Sequence, residues 1–200
     1  MLPSLLVATR NRGKQAEFRL LLQDLPVALL FPQDVGLDLE VAEEGETYAQ
    51  NATLKARAWA EATGRLTLAD DSGLEVDALD GAPGVFSARF APFPRATDAD
   101  RRRYLLERLQ GHPRPWTARF RCVVAVAVPQ GAIHLAEGVC PGEIIPQERG
   151  HHGFGYDPIF YLPELGRTMA ELPLAVKNRL SHRGRAVQAA LPILRRLLGL

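Results

Sequence analysis

Two adjacent carboxylates after an apolar segment are the clearest candidates for chemistry in this sequence. The segment 66–69, Leu-Thr-Leu-Ala, is typical of a buried strand, and Asp70, Asp71, Ser72 and Gly73 follow it directly. Neighbouring acids repel each other unless water, a cation or a basic ligand compensates them, so such a pair at a strand end favours a divalent metal site. Gly73 would let the backbone turn sharply there. The alternative is structural, because Asp70 and Ser72 also shape turns and cap helices.

Three lysines are the second set of candidates. Arginine supplies all but three of the 24 basic residues, and the exceptions are Lys14, Lys55 and Lys177. Lysine carries a compact ammonium where arginine carries a planar fork, and phosphate sites often use the ammonium. The three positions are therefore candidate phosphate contacts. The alternative is that lysine occurs at these three positions by chance.

The chain around Lys14 has the order of an anion-binding site. A strand is predicted over Leu5–Ala8 and a helix over Lys14–Leu25, with the polar turn 9–13 between them. Backbone N–H groups at a helix start point at a bound anion, and the helix dipole favours negative charge. The turn is not a Walker A loop, because Ala8 stands at the first glycine position and Gln15 where Ser or Thr is required.

A glycine-spaced aromatic segment, 150–158, is the fourth candidate. Its glycines would let the backbone approach a flat ligand while Phe154 or Tyr156 stacks on it. The alternative is a loop whose aromatic side chains fold back into the core. His151 and His152 are adjacent, and adjacent side chains rarely reach one metal ion together.

Strands and helices alternate along the chain and position these residues. The predicted strands cover Val27–Phe31, Leu74–Leu79, Phe120–Val128, Ile133–Gly138 and Ile159–Tyr161. The predicted helices cover Glu46–Thr63, Asp98–Gln110 and Arg183–Leu198, with a helical turn at Met169–Leu172. Gly64 ends the first of these helices. The segment 43–47, Glu-Glu-Gly-Glu-Thr, forms an acidic turn at its start, and these acids either complement the helix dipole or contact a ligand.

Length and composition limit the class of protein. The chain has 200 residues, 46% of them hydrophobic, which predicts a single domain over residues 1–200. The formal charge of +1 gives no general attraction to nucleic acid or to an anionic membrane, and the basic run 101–103 is interpreted as a solvated helix face. With no signal peptide or long apolar run in the sequence, we expect a cytoplasmic protein. Cys122 is interpreted as a small core residue, and neither Cys122 nor Cys140 as a nucleophile.

Together the candidate segments supply what binding and cleaving a nucleoside triphosphate requires: cations, clustered acids and an aromatic loop. In order and in residue type they closely resemble the inosine/xanthosine triphosphate pyrophosphatase family over nearly the whole chain. The motifs are Thr9-x-Asn11-x-x-Lys14, Glu43-x-Gly45-x-Thr47-x-x-x-Asn51-Ala52-x-x-Lys55-Ala56, Ala69-Asp70-Asp71-Ser72-Gly73-Leu74, Gly81-Ala82-Pro83-Gly84, Gly153-Phe154-Gly155-Tyr156-Asp157-Pro158 and Ser181-His182-Arg183-Gly184.

The resemblance implies both a fold and an activity. The fold is α/β, with an elongated mixed sheet, flanking helices and two lobes around a central cleft, usually in a homodimer. The activity is Mg²⁺-dependent hydrolysis of ITP, dITP and XTP to the monophosphate and pyrophosphate, which cleanses the nucleotide pool. Asp71 would bind the metal and accept a proton from the water that attacks the α-phosphorus, and Glu43 would be a second metal ligand. Relatives often carry another acid at Ala42, and a smaller pair at His151 and His152.

The resemblance also implies substrate contacts in two groups. The phosphate contacts are Thr9, Arg10, Asn11, Arg12, Gly13, Lys14 and Lys55, with Ser72 as a further substrate contact. Phe154, Gly155, Tyr156 and Asp157 would hold base and sugar, Lys177 the triphosphate or base edge, and His182 and Arg183 the 6-oxo group. Donors aimed at a 6-oxo group would be left unpaired by the amino group of ATP, which disfavours ATP.

Two other functions remain as alternatives at this point. A nucleotide sensor would keep the binding residues without hydrolysis, but it has no need of the acids and lysines that a metal-activated water requires. A nucleic-acid-binding protein would use the arginines, but the near-neutral charge argues against it, and a flat salt dependence of DNA binding would dismiss it.

Overall fold

The computed structural model describes residues 2–200 and contains seven strands and five α-helices among them. The strands are β1 Ser4–Val7, β2 Ala28–Leu30, β3 Thr67–Val76, β4 Trp116–Ala127, β5 Ile133–Ile144, β6 Phe160–Leu162 and β7 Arg167–Thr168. The helices are α1 Arg12–Leu21, α2 Tyr48–Thr63, α3 Asp98–Leu109, α4 Leu174–Leu180 and α5 His182–Leu198. None of the helices within residues 2–200 has both the length and the apolar composition needed to cross a membrane.

The strands form one mixed sheet in the order β2-β1-β3-β4-β5-β6-β7. β1 is parallel to both β2 and β3, whereas β6 is antiparallel to β5 and to β7. Parallel neighbours need a crossover connection, and α1 and α2 provide the connections from β1 to β2 and from β2 to β3. The predicted α/β class with a mixed sheet and flanking helices is confirmed.

The chain divides into two compact units, each with its own apolar core. The first unit comprises Met1–Asp71, Cys122–Gly138 and Arg183–Leu200, and the second comprises Ser72–Arg121 and Val139–His182. Phe18, Leu68 and Val124 are fully or almost fully buried in the first core, as are Leu105 and Phe160 in the second. Removing these side chains from water is the main contribution that each core makes to stability. The single domain over residues 1–200 stays a prediction.

Local capping explains where the helices begin. The side chain of Asn11 accepts a hydrogen bond from the backbone N–H of Lys14 at the start of α1. Thr47 and Gln50 form a reciprocal capping box at the start of α2, which satisfies backbone donors that have no partner within the helix. Gly64 ends α2 in the left-handed conformation, at φ +64°, as the sequence predicts.

β3 corrects the prediction for the acidic pair. The sequence predicts a strand that carries the acidic pair at its end, a turn at Gly73 and a second strand over Leu74–Leu79, but one continuous strand runs from Thr67 to Val76. A short 3₁₀ helix covers Asp77–Leu79. The strand passes through both aspartates because cations from distant parts of the chain compensate them, so no turn toward solvent is required. α1 also ends at Leu21, four residues before the predicted end, and α4 was not predicted.

Candidate functional site

Four side chains of the first unit form what we call the Asp71 cluster: Glu43, Asn51, Lys55 and Asp71. The Lys55 ammonium lies 2.8 Å from Glu43 Oε1 and 3.5 Å from Asp71 Oδ1. The other oxygen of Asp71 accepts a hydrogen bond of 3.2 Å from the Asn51 side-chain amide. The cluster therefore joins two carboxylates, predicted as metal ligands, through one ammonium predicted to contact phosphate.

Helix α2 positions two members of the Asp71 cluster. Asn51 and Lys55 are one helical turn apart, so both side chains lie on one face of the helix. Asn51 also exchanges hydrogen bonds with the backbone of Gly45, accepting from its N–H at 2.8 Å and donating to its carbonyl at 3.3 Å. A Cβ atom at Gly45 would lie 2.7 Å from Asn51 Oδ1, so glycine is required for this approach. The segment that carries Glu43 is thereby tied to α2.

Asp70 belongs to a second group, the Asp70 network, with Lys14, Glu17 and Arg183. Its Oδ2 atom accepts hydrogen bonds from Lys14 Nζ at 2.8 Å and from Arg183 Nη2 and Nε at 3.0 and 3.2 Å. The remaining arm of Arg183 pairs with Glu17 of α1. Asp70, Glu17 and Arg183 are each almost completely buried. The network fixes the start of α5, the first turns of α1 and the middle of β3 to one another.

The two adjacent aspartates have opposite electrostatic environments. Burial alone would raise the pKa of Asp70, but Lys14, Arg183 and Lys55 outweigh it and hold that pKa far below its usual range. Burial raises the pKa of Asp71, and Glu43 and Asp70 add to this effect, while Lys55 and Lys14 oppose it only in part. Asp70 is therefore a permanent anion, whereas Asp71 is the carboxylate better suited to accept a proton. Such divergence between neighbouring carboxyl groups is typical of sites that use them in different roles.

The predicted phosphate turn connects β1 to α1. Arg10, Asn11 and Arg12 are exposed, while Thr9 and Gly13 are half-buried. The Asn11 side chain is occupied as the helix cap, and Arg10 pairs with Asp38. The backbone N–H groups of the first turn of α1 remain the groups best placed to meet an anion.

The predicted aromatic segment lies in the second unit, beside Lys177 of α4. The Lys177 ammonium pairs with Asp157 and stands 4.9 Å above the centre of the Phe154 ring. Asp157 also accepts a 2.9 Å hydrogen bond from the Phe154 backbone N–H. Gly153 has φ +75°, and a Cβ atom there would lie 2.1 Å from Asp157 Oδ2. The buried ion pair thus shapes the backbone that carries Phe154.

Three other predicted substrate contacts, Tyr156, His182 and Ser72, lie in the second unit. Tyr156 lies in the core of the second unit and donates its hydroxyl hydrogen to the Ser87 carbonyl at 2.9 Å. The His182 ring stacks on Phe120, with the ring centroids 4.7 Å apart. Ser72 is half-buried within β3. The substrate roles that the resemblance implies for these residues stay predictions.

Several residues of the site had no role in the sequence analysis. Asn51 was quoted within a motif only, and Glu17 was not considered, because no local signal reveals its partner Arg183, which is 166 residues away. The basic run 101–103 was interpreted as a solvated face, yet Arg102 bonds the backbone of Gly155. His151 and His152, which the sequence analysis did consider, lie with their ring centroids 4.5 Å apart, and the backbone N–H group of each donates to the Ala170 carbonyl.

The Asp71 cluster fits the chemistry of Mg²⁺. Mg²⁺ prefers oxygen ligands and usually binds through one or two carboxylates together with substrate phosphates. Glu43 and Asp71 supply two carboxylates, and the Lys55 ammonium between them shows that the position suits a cation. Within residues 2–200, no group of three or more His, Cys, Asp or Glu side chains is arranged to hold a metal ion.

The fold places the protein among α/β proteins built on one mixed seven-stranded sheet. The chain matches the model of the Ham1 family over residues 5–193 and belongs to that family. A dITP/XTP pyrophosphatase of Desulforamulus reducens is 52% identical over 194 residues, or 96% of each chain. One from Geobacter sulfurreducens is 48% identical over 92% of each chain. The structure of a HAM1 protein from Coxiella burnetii is 41% identical and superimposes with a TM-score of 0.88, covering 98% of this chain and 100% of that one.

Proposed function

We propose that this protein is a nucleoside-triphosphate pyrophosphatase that hydrolyses non-standard purine triphosphates, with dITP, ITP and XTP as substrates and Mg²⁺ as cofactor. Relatives named dITP/XTP pyrophosphatase match almost the whole chain. The observation that carries the proposal is the Asp71 cluster, in which the Lys55 ammonium lies within 3.5 Å of the carboxylates of both Glu43 and Asp71. Its cellular role would be to remove these nucleotides from the cytoplasmic pool.

The residues of the first unit would carry the reaction. Asp71 takes the proton of a water molecule whose oxygen forms the new bond to the α-phosphorus, while the bond to the bridging oxygen breaks and pyrophosphate leaves. When bound by Glu43 and Asp71, Mg²⁺ neutralises negative charge on the triphosphate. Lys14 and Lys55 bind phosphate oxygens and stabilise the charge that gathers on the leaving group. Asp70 does not take part directly, because its charge is committed to Lys14 and Arg183.

The residues of the second unit would recognise the base. Phe154 supports this proposal because its ring is held beside the Lys177 ammonium by the Asp157 pair. An aromatic face stacks on any purine, so stacking supplies affinity without selectivity. Selectivity for a 6-oxo purine would come from donors such as His182, which ATP leaves unpaired.

The test is a panel of purified NTPs and dNTPs incubated with the protein and Mg²⁺, with pyrophosphate and orthophosphate measured separately. We expect pyrophosphate from dITP, ITP and XTP, little product from ATP, and no activity after chelation with EDTA. Asp71→Asn should lower kcat about 10²- to 10⁴-fold, because the variant has no carboxylate to accept the proton.

Glu61→Gln is the matched control, because Glu61 is an exposed residue of α2 outside the Asp71 cluster. It should keep the wild-type kcat. Orthophosphate as the first product would indicate a phosphatase, and nucleotide binding without turnover would indicate a sensor. Either result, or wild-type turnover by Asp71→Asn, would reject the proposal.

A further inference from the structure

The peptide backbone of Gly155 is held from both sides by helix α3. Its N–H donates to Asp98 Oδ2 at 2.8 Å, and its carbonyl accepts from Arg102 Nη1 at 2.8 Å. Asp98 and Arg102 are four residues apart in the first two turns of α3, so both side chains lie on one face of the helix. The segment 153–158 is therefore tied to α3 through the two polar groups of one residue.

Arg102 is itself held in place by a third residue. Its Nε and Nη2 atoms donate to the two carboxylate oxygens of Glu148, at 2.8 and 2.9 Å, in a fork that fixes the plane of the guanidinium. The Arg102 side chain is 12% exposed, whereas that of Arg103, its neighbour, is 64% exposed. A solvated helix face describes Arg103 but not Arg102. Asp98, Arg102 and Glu148 form what we call the Gly155 clamp.

The clamp acts at a point where the backbone needs external support. Gly153 and Gly155 both have positive φ, at +75° and +62°, a region that glycine enters easily and also leaves easily. Phe154 lies between them, so the direction of its ring depends on both peptides keeping their orientation. Asp157 fixes the Phe154 N–H on one side, and the clamp fixes the Gly155 peptide on the other.

We propose that Asp98, Arg102 and Glu148 are positioning residues for base recognition, which hold Phe154 in the orientation that stacks on the purine. This inference rests on the proposed function, because it assigns the clamp to the base-binding segment of that site. The clamp contacts no reacting atom. Its loss should therefore raise the KM for dITP and leave kcat nearly unchanged, since only binding of the base depends on it.

The experiment compares Arg102→Gln with Arg103→Gln, a matched control one residue away on the same helix. Arg102→Gln should raise the KM for dITP about 10-fold, in line with the loss of charge-assisted hydrogen bonds, with kcat within about twofold of wild type. Arg103→Gln should leave both unchanged. Arg102→Lys keeps the charge but not the fork, so it should give an intermediate KM.

Hydrogen exchange of the peptides that cover 150–158, measured without nucleotide, is a second readout that needs no activity. Exchange there should be faster in Arg102→Gln and in Asp98→Ala than in wild type, and Asp98→Asn should restore part of the protection, because its amide oxygen still accepts a hydrogen bond. A wild-type exchange rate together with a wild-type KM in these variants would contradict the positioning role of the Gly155 clamp. Faster exchange in a protein that releases no pyrophosphate from any nucleotide would instead support the clamp and reject the proposed function.

Discussion

Asp70 and Asp71 are neighbours in β3 whose roles are separated by what surrounds them. Asp70 gives one oxygen to Lys14 and Arg183, while Asp71 faces Asn51 and the shared ammonium of Lys55. Their side chains alternate along the strand, so two adjacent residues reach two different sets of partners. One aspartate is a buried structural anion, and the other is the carboxylate to which we assign the proton transfer.

Replacement of Asp70 by Asn should destabilise the protein strongly. The variant leaves the buried guanidinium of Arg183 with Glu17 as its remaining carboxylate in the Asp70 network, and breaking a buried ion pair by removing one partner costs about 3–5 kcal/mol. The free energy of unfolding, measured by urea denaturation at neutral pH, should fall by this order.

Asp38→Asn is the comparison for that measurement. Asp38 also pairs with an arginine, Arg10, but its side chain is 94% exposed. Exposed pairs contribute about 0–1 kcal/mol, so this variant should unfold close to the wild-type midpoint. Equal losses in the two variants would mean that burial does not decide the strength of these pairs.

At the scale of the elements, the first turn of α3 should respond to pH. Burial opposes the ionised form of Asp98, but the Gly155 N–H and Arg101 outweigh it and hold the pKa of Asp98 below its usual range. A carboxyl group with a lowered pKa in the folded state contributes stability above its unfolded pKa of about 3.9, and this contribution is lost as the pH falls through the folded value.

The difference in unfolding free energy between wild type and Asp98→Asn should therefore be largest near pH 6 and should shrink below about pH 4. Urea denaturation of both proteins at a series of pH values between 6 and 2.5 measures it. A difference that stays constant or grows toward low pH would contradict the assigned ionisation of Asp98.

Local signals in the sequence predicted the helices better than the strand that carries the acids. The end of α2 at Gly64 follows from the residue itself, because glycine adopts positive φ at little cost. The continuity of β3 depends on cations that are 56 and 113 residues distant from Asp70, and no window of sequence contains them. The role of Arg102 was missed for the same reason, since its partners Glu148 and Gly155 are 46 and 53 residues away.

At the scale of the whole molecule, composition predicted enough apolar surface for a core but not its division. The two cores draw on segments that alternate along the chain, so neither core is visible as a contiguous stretch. The order of the motifs predicted more than composition did, because the residue types of each motif can be read from the sequence without knowing which unit the motif belongs to. Membership of the Ham1 family, now established over residues 5–193, was predictable from that order.

The homodimer is the prediction that belongs to this scale. Sedimentation equilibrium at micromolar protein should give a mass twice the 22.0 kDa of one chain. A single species of 22.0 kDa, unchanged as the concentration is raised, would show that the protein acts as a monomer and that the resemblance does not extend to assembly.

The positive charge of the Lys55 ammonium is already paired with the carboxylates of Glu43 and Asp71 before any ligand binds. An anion that comes alone meets no unbalanced positive charge there and has to compete with two carboxylates fixed beside the lysine. A divalent ion bound by those carboxylates, as proposed for Mg²⁺, would leave the lysine available to the same anion. We therefore expect the cluster to bind bare phosphate, sulfate or metal-free nucleotide weakly, because its own charges are already paired.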